Sequence, residues 1–251
     1  SIICIDNKNL KLLLNKCKNK NFLTYGFSKN SNYQIVNIKK NINYSTFDLN
    51  INTHKDKIYK IKKIKINLLG DHNISNTTAA IAVALNLGIK VNRIKKGLEK
   101  FLGIERRFTK VFTFKNREFF DDYAHHPTEI KAVLNGARQV YKNRKIVCVF
   151  QPHRYSRVKA LKKEFASSFK LSDTVVLCPV YSAGEKIKYN FDQDNFSKLI
   201  SIKSKIQVIN IGNQIDLKKY LIKNLIDNEI VICMGAGSIS NWIREIGDEL
   251  K

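Results

Sequence analysis

Between residues 33 and 69 apolar and polar positions alternate, as in YQIVNI, YSTFDLNI and KIYKIKKIKINLLG. A period of two sends successive side chains to opposite faces, so this stretch predicts antiparallel strands with one face in water. Before it, SIICID reads as a buried strand, NKNLKLLLNKCK as a short helix and NFLTYGF as another strand. After it the period lengthens. GDHNISNTTAAIAVALNLGI is dense in Ala and Leu; Asp71 can cap it, and Gly88 can close it in a left-handed conformation. NRIKKGLEKF predicts a second helix, capped by Asn92 and stopped near Gly103.

The pattern changes again after LGIERRF, which places a domain boundary near residues 101–108. A hairpin-like stretch, KVFTFKNREFFDDY, leads into a helix over 127–141. Apolar strands KIVCVF, DTVVLCPV, IQVINI and EIVICMGAGS then alternate with helices ending near Phe169, near 192–201, near 213–225 and over 239–249. Short, wholly apolar strands separated by helices predict a parallel-rich sheet wound on both faces, an α/β fold.

Composition narrows the options. The formal net charge is +24, but most of the cations are Lys spread along the chain. With no Arg-rich helix and no basic stripe interleaved with aromatics, the charge reads as a solvated surface, and no nucleic-acid partner is expected. The positive field would favour phosphorylated small ligands. The five Cys are scattered without a CxxC pair, as expected of reduced core thiols in a cytoplasmic protein. No apolar run approaches the ~20 residues that span a bilayer. The start, SIICIDNKNL, lacks the basic region and cleavage site of a signal peptide and enters directly on a strand. The chain is therefore expected to be the C-terminal part of a longer protein.

In a doubly wound domain ligands bind beyond the C-terminal ends of the strands. Four polar loops fall there: DDYAHHP, QPHRYSR, YSAGE and MGAGS. QPHRYSR sets His153, Arg154 and Arg157 at the start of a helix. Cations are unfavourable at the positive end of a helix dipole unless an anion sits there, which points to a carboxylate or phosphate ligand. MGAGS reads either as a phosphate-binding turn or as a tight strand–helix turn, since it lacks the third glycine of the dinucleotide fingerprint. HNISN places His72 and Asn76 on one helical face, either to cap the helix or to meet an adenine edge. In DDYAHH the adjacent His125 and His126 point opposite ways on an extended segment, so no metal site is expected; His126 is left to pack or cap.

In this order, GDHNISN, GIERRF, DDYAHHPTEI, VFQPHRYSR, YSAGE and MGAGS resemble the Mur ligase family, and within it the branch that adds L-alanine to UDP-N-acetylmuramate. The resemblance runs the length of the chain. It implies that residues 1–103 are the C-terminal part of the central ATP-binding domain and residues 104–251 a Rossmann-like amino-acid-binding domain. The implied reaction is ATP-dependent: an acyl phosphate forms on the muramate carboxylate and the amine of L-alanine displaces phosphate. By the same resemblance His72, Asn76, Arg106, Arg107 and Asp122 would bind ATP, one linker arginine reaching its phosphates and Asp122 the ribose. Tyr123, His125, His153, Arg154 and Arg157 would line the alanine and acyl-phosphate side, with His125, His153 and Arg157 catalytic. No GxxxxGK[ST] or GTxGKT loop occurs here, and the family's Mg2+-binding Glu and His lie upstream of CID, so Mg2+ ligands are not expected in this chain and the isolated chain is expected to be inactive. Ser238 stands where the family commonly has Asp, and Ser182 where it commonly has Ala. Two alternatives remain: the branch that reattaches recycled tripeptide, which shares the HHP loop but is not expected to carry QPHRYSR, and a non-catalytic basic module that binds nucleotide or nucleic acid.

Overall fold

A computed structural model describes residues 1–17, 22–41, 44–52, 58–186 and 191–250. Lys18, Asn21 and Lys57, at the ends of predicted elements, lie outside them. The chain forms two compact units, Ser1–Gly103 and Ile104–Lys251.

The first unit holds β1 (Ile2–Cys4), α1 (Lys8–Lys16), β2 (Leu23–Gly26), β3 (Tyr33–Lys40), β4 (Ser45–Asn52), β5 (Ile58–Ile66), α2 (Asp71–Asn86) and α3 (Val91–Lys100). Its sheet runs β1-β2-β3-β4-β5, parallel among the first three strands and antiparallel from β3 to β5. The alternation in the sequence is that of the sheet: Phe47, Leu49 and Ile51 of β4 face a core completed by Ile74 and Ile81 of α2. Three local expectations are corrected. Strand β1 is only partly buried, since it is the sheet edge. The cap of α2 is Gly70, at φ +87°, while Asp71 is already helical and pairs with Lys40 at 2.7 Å. Lys90, not Asn92, precedes α3, which ends at Lys100. Gly88 does take a left-handed φ of +80° after α2.

The second unit holds β6 (Thr109–Phe114), β7 (Arg117–Asp122), α4 (Pro127–Val140), β8 (Ile146–Phe150), α5 (Tyr155–Ala160), α6 (Lys162–Ala166), β9 (Thr174–Leu177), α7 (Gln193–Ser204), β10 (Gln207–Asn210), α8 (Gln214–Lys223), β11 (Ile230–Met234) and α9 (Ile239–Leu250). Strands β6 and β7 form a hairpin whose two-residue turn, Lys115–Asn116, has positive φ at both positions, the twist that suits tight hairpins. The sheet order is β10-β9-β8-β11-β7-β6, parallel except at β6. One face packs against α4 to α7 and the other against α8 and α9. The helix expected to run to Phe169 instead breaks at Leu161 into α5 and α6.

This order positions the site. From β7 the chain passes to β8, moves outward through β9 and β10, then returns β11 to the gap between β8 and β7. Such a reversal opens a crevice beyond the strands' C-terminal ends.

Candidate functional site

All four polar loops of the second unit meet at that crevice. The loop after β7 is fixed first. Asp122 is 2% exposed, with Oδ1 accepting from the Ala124 N–H at 2.8 Å and Oδ2 from the Phe108 N–H at 2.8 Å. Burial pushes its carboxyl up to about 6, against the pull of those two N–H groups and Arg107. Oδ2 thus ties the entering chain to the end of β7, and Oδ1 holds the turn that leaves it. His126 caps α4, its Nδ1 accepting from the Thr128 N–H at 3.3 Å, and Pro127 begins the helix.

Four aromatic rings follow in a row. Tyr123 meets His125 edge-on at 5.2 Å, His125 meets His153 at 5.5 Å, and His153 stacks on Tyr181 at 5.7 Å. The Nδ1 atoms of the two imidazoles play opposite parts, assigned from their partners. His125 Nδ1 lies 2.8 Å from the Tyr123 carbonyl and 3.4 Å from Glu129 Oε2, both acceptors, so Nδ1 carries a proton. His153 Nδ1 lies 3.2 Å from Arg157 Nη1, a donor only, so Nδ1 accepts and Nε2 carries the proton. Burial, then the nearby Arg157, holds the His153 pKa below its ordinary value.

The cations here make no close ion pair, although the Glu185 carboxylate lies within electrostatic reach of Arg154. Arg157 donates to that imidazole, and Arg154 is exposed, with no ion pair from either among the described residues. Arg154 adopts φ +68° as it turns the chain into α5. The N-terminus of α5 is satisfied by Glu185, which accepts from the Ser156 N–H at 3.1 Å and from the Ser156 hydroxyl. The Ser156 hydroxyl, then the backbone N–H groups, hold the Glu185 carboxyl below the usual carboxylate range.

On the linker side the two arginines differ. Arg106 donates to the Gly235 carbonyl at 2.6 Å, lies 3.7 Å from buried Asp121 and covers the Tyr123 ring at 4.7 Å. Arg107 is exposed, 6.0 Å from the same ring. The MGAGS loop is pinned by Gln151, whose amide accepts from the Ile239 N–H at 3.0 Å and donates to the Ser238 hydroxyl at 3.0 Å. A Cβ at Gly235 would fall 2.8 Å from the Gln151 carbonyl, so the loop needs its glycine. His72 and Asn76 belong to the first unit, on α2, with His72 partly buried and Asn76 exposed.

Against this geometry, two family models match the sequence: the Mur ligase middle domain over residues 1–84 and the Mur ligase, glutamate ligase domain over residues 106–237. The chain belongs to the Mur ligase family. Among its relatives, the UDP-N-acetylmuramate–L-alanine ligase of Pelagibacter ubique is 54% identical over 246 residues, 98% of this chain and 53% of that protein. The one from Brucella anthropi is 36% identical over 249 residues, 99% of this chain and again 53% of its own length. The chain therefore spans about half the length of the curated relatives it matches. Among solved structures, a UDP-N-acetylmuramate–alanine ligase from Thermotoga maritima superposes with a TM-score of 0.70 at 28% identity, covering 90% of this chain and 47% of that one. A murein peptide ligase from Psychrobacter arcticus has TM-score 0.71 at 21% identity over 99% of this chain and 50% of that one, which shows a shared fold only.

Four participants at this Mur ligase crevice sit inside the polar loops, but their partners are not legible in the sequence. Gln151, Tyr181 and Glu185 act through contacts 28 to 88 positions away, and Asp121 through the Ser240 hydroxyl at 2.5 Å and Arg244 at 3.4 Å. Among the described residues no group of three or more His, Cys, Asp or Glu side chains is placed to hold a metal ion. No helix among them is long and apolar enough to cross a membrane.

Proposed function

We propose that this chain supplies the later part of the ATP-binding domain (residues 1–103) and the amino-acid-binding domain (residues 104–251) of a cytoplasmic ligase. That ligase joins L-alanine to UDP-N-acetylmuramate in peptidoglycan precursor synthesis, with ATP and Mg2+. The reading rests on one observation above all: Arg154 and Arg157, which make no ion pair among the described residues, stand beside two imidazoles whose Nδ1 atoms are already engaged, one with a backbone carbonyl and one with Arg157. An amino-acid nucleophile asks for that combination. Its carboxylate needs a cation, and its ammonium must lose a proton before the nitrogen can attack.

In this reading the guanidiniums of Arg154 and Arg157 hold the alanine carboxylate. Nε2 of His125 takes the proton from the ammonium, and Nε2–H of His153 donates to an oxygen of the acyl phosphate. The new N–C bond forms as the C–O bond to phosphate breaks, and phosphate leaves. Tyr123 borders the nucleophile. Arg107, exposed where Arg106 is committed to Gly235, is the linker arginine free to meet an ATP phosphate. His72 and Asn76 offer hydrogen bonds to the adenine edge, and Asp122 acts on the nucleotide side by setting the linker's entry. No step is assigned to Mg2+ through residues of this chain.

Phosphate release by the full-length protein, with ATP and UDP-N-acetylmuramate, tests the reading. L-Alanine is expected to stimulate it and the recycled tripeptide is not. Stimulation by tripeptide alone would replace this reading with the recycling branch.

A further inference from the structure

The aromatic row ends in a side chain held from three directions. Tyr181 follows β9, yet its backbone continues the β8–β9 pairing past the sheet edge: its N–H donates to the Pro152 carbonyl at 2.8 Å, and its carbonyl accepts from the Arg154 N–H at 2.8 Å. Its ring stacks on His153 at an interplanar angle of 20°. Beneath it lies Gly237, where a Cβ would come within 2.4 Å of the Tyr181 Cγ. Even so, Tyr181 is 41% exposed. A large aromatic that is rigidly seated and still open to the crevice offers a fixed wall rather than core packing. Tyr123, at the opposite end of the row, has its face covered by Arg106 at 4.7 Å. The wall beside Arg154 and Arg157 is therefore Tyr181, and an amino acid whose carboxylate those arginines hold places its side chain within reach of it.

We propose that Tyr181 is a specificity-determining residue: its ring bounds the space for the amino acid's side chain and limits the nucleophile to a methyl-sized substituent. This rests on the amino-acid-ligase reading above. The ring is packed on His153 and Gly237, so it yields little to a bulkier substrate. An apolar wall discriminates by only about 10- to 200-fold per methylene, and that is the scale of effect its removal has.

The test compares L-alanine with L-valine as substrates of the full-length protein carrying Tyr181→Ala, Tyr181→Leu or Tyr181→Phe. Phosphate release gives kcat/KM for each amino acid, and the ATP KM is read in parallel. Tyr181→Ala is expected to narrow the alanine-to-valine ratio at least about tenfold, with the ATP KM unchanged. Tyr181→Leu, which keeps an apolar contact with His153, narrows it less, and Tyr181→Phe leaves it unchanged. Should Tyr181→Ala fail to fold or turn over, Tyr181→Leu decides. An unchanged ratio in a variant that still uses alanine overturns the role of Tyr181 and leaves the ligase reading intact. Wild-type protein that shows no alanine-dependent release overturns both.

Discussion

The two ends of the parallel sheet use the same residue type for opposite purposes. At the N-terminal edge every arginine is paired. Arg144 contacts Glu118 and donates to the Asn228 carbonyl at 2.9 Å; Arg138 reaches Asp173 at 2.6 Å and the Leu171 carbonyl at 2.9 Å; Arg117 donates to the Ile226 carbonyl at 3.0 Å. At the C-terminal edge Arg154 and Arg157 make no ion pair among the described residues, with Glu185 only in electrostatic reach of Arg154. The carboxyls follow suit. Burial alone would raise Glu118, but Lys110 and Arg144 outweigh it and hold it below its ordinary value. Asp122, at the other edge, is pushed up to about 6 by burial. One edge satisfies its charges internally and so contributes stability. The other leaves cations open and a carboxyl strained, which suits it to an external anion.

Breaking each edge separates the two roles. The largest effect is expected from Arg157→Ala in the full-length ligase: kcat/KM for alanine falls about 100-fold or more, since truncating one partner of a charge pair costs roughly 2–5 kcal/mol. Next comes pH. A carboxyl whose folded pKa lies near 6 against an ordinary 3.8 binds its proton more tightly in the folded state. Wild-type stability should therefore fall as pH rises from about 4 to about 6, by up to about 3 kcal/mol. Asp122→Asn has no proton to lose there, so its stability deficit should shrink across that window in urea titrations; a deficit independent of pH would contradict the buried carboxyl. Arg144→Ala should cost about 2 kcal/mol of unfolding free energy without changing the alanine KM, as read by thermal melts and kinetics. The smallest effect is electrostatic. Removing Arg157 takes a cation from His153, so an NMR titration of its ring should show its pKa rising toward the ordinary value.

The layers of the fold were legible because burial imposes its period directly: β4 alternates buried and partly buried positions, whereas β8 and β11 are buried at every position. The convergence of the four loops could also be read, since strand ends of a wound sheet share one edge. Local chemistry was harder. Asp71 and Asn92 look like caps by residue type, but the residue that caps is the one whose backbone turns, and here that is Gly70 or Lys90. Asp122 looks like a ligand group in a polar loop, yet its two oxygens are folded back onto the Ala124 and Phe108 N–H groups. Nothing in YSAGE says that Glu185 closes the N-terminus of α5 or that Tyr181 rests on Gly237, because those partners meet only after the sheet has formed.

The central claim is that Arg154 and Arg157 at the C-terminal edge are reserved for the amino acid's carboxylate while Arg117, Arg138 and Arg144 at the N-terminal edge hold the fold. Measuring the alanine KM and the melting temperature of Arg157→Ala and Arg144→Ala side by side, in the full-length protein, tests it most directly. The alanine KM should rise steeply in Arg157→Ala alone, and the melting temperature should drop in Arg144→Ala alone. If both variants shift the melting temperature and neither shifts the alanine KM, the arginines at the two edges do the same work and the account is wrong.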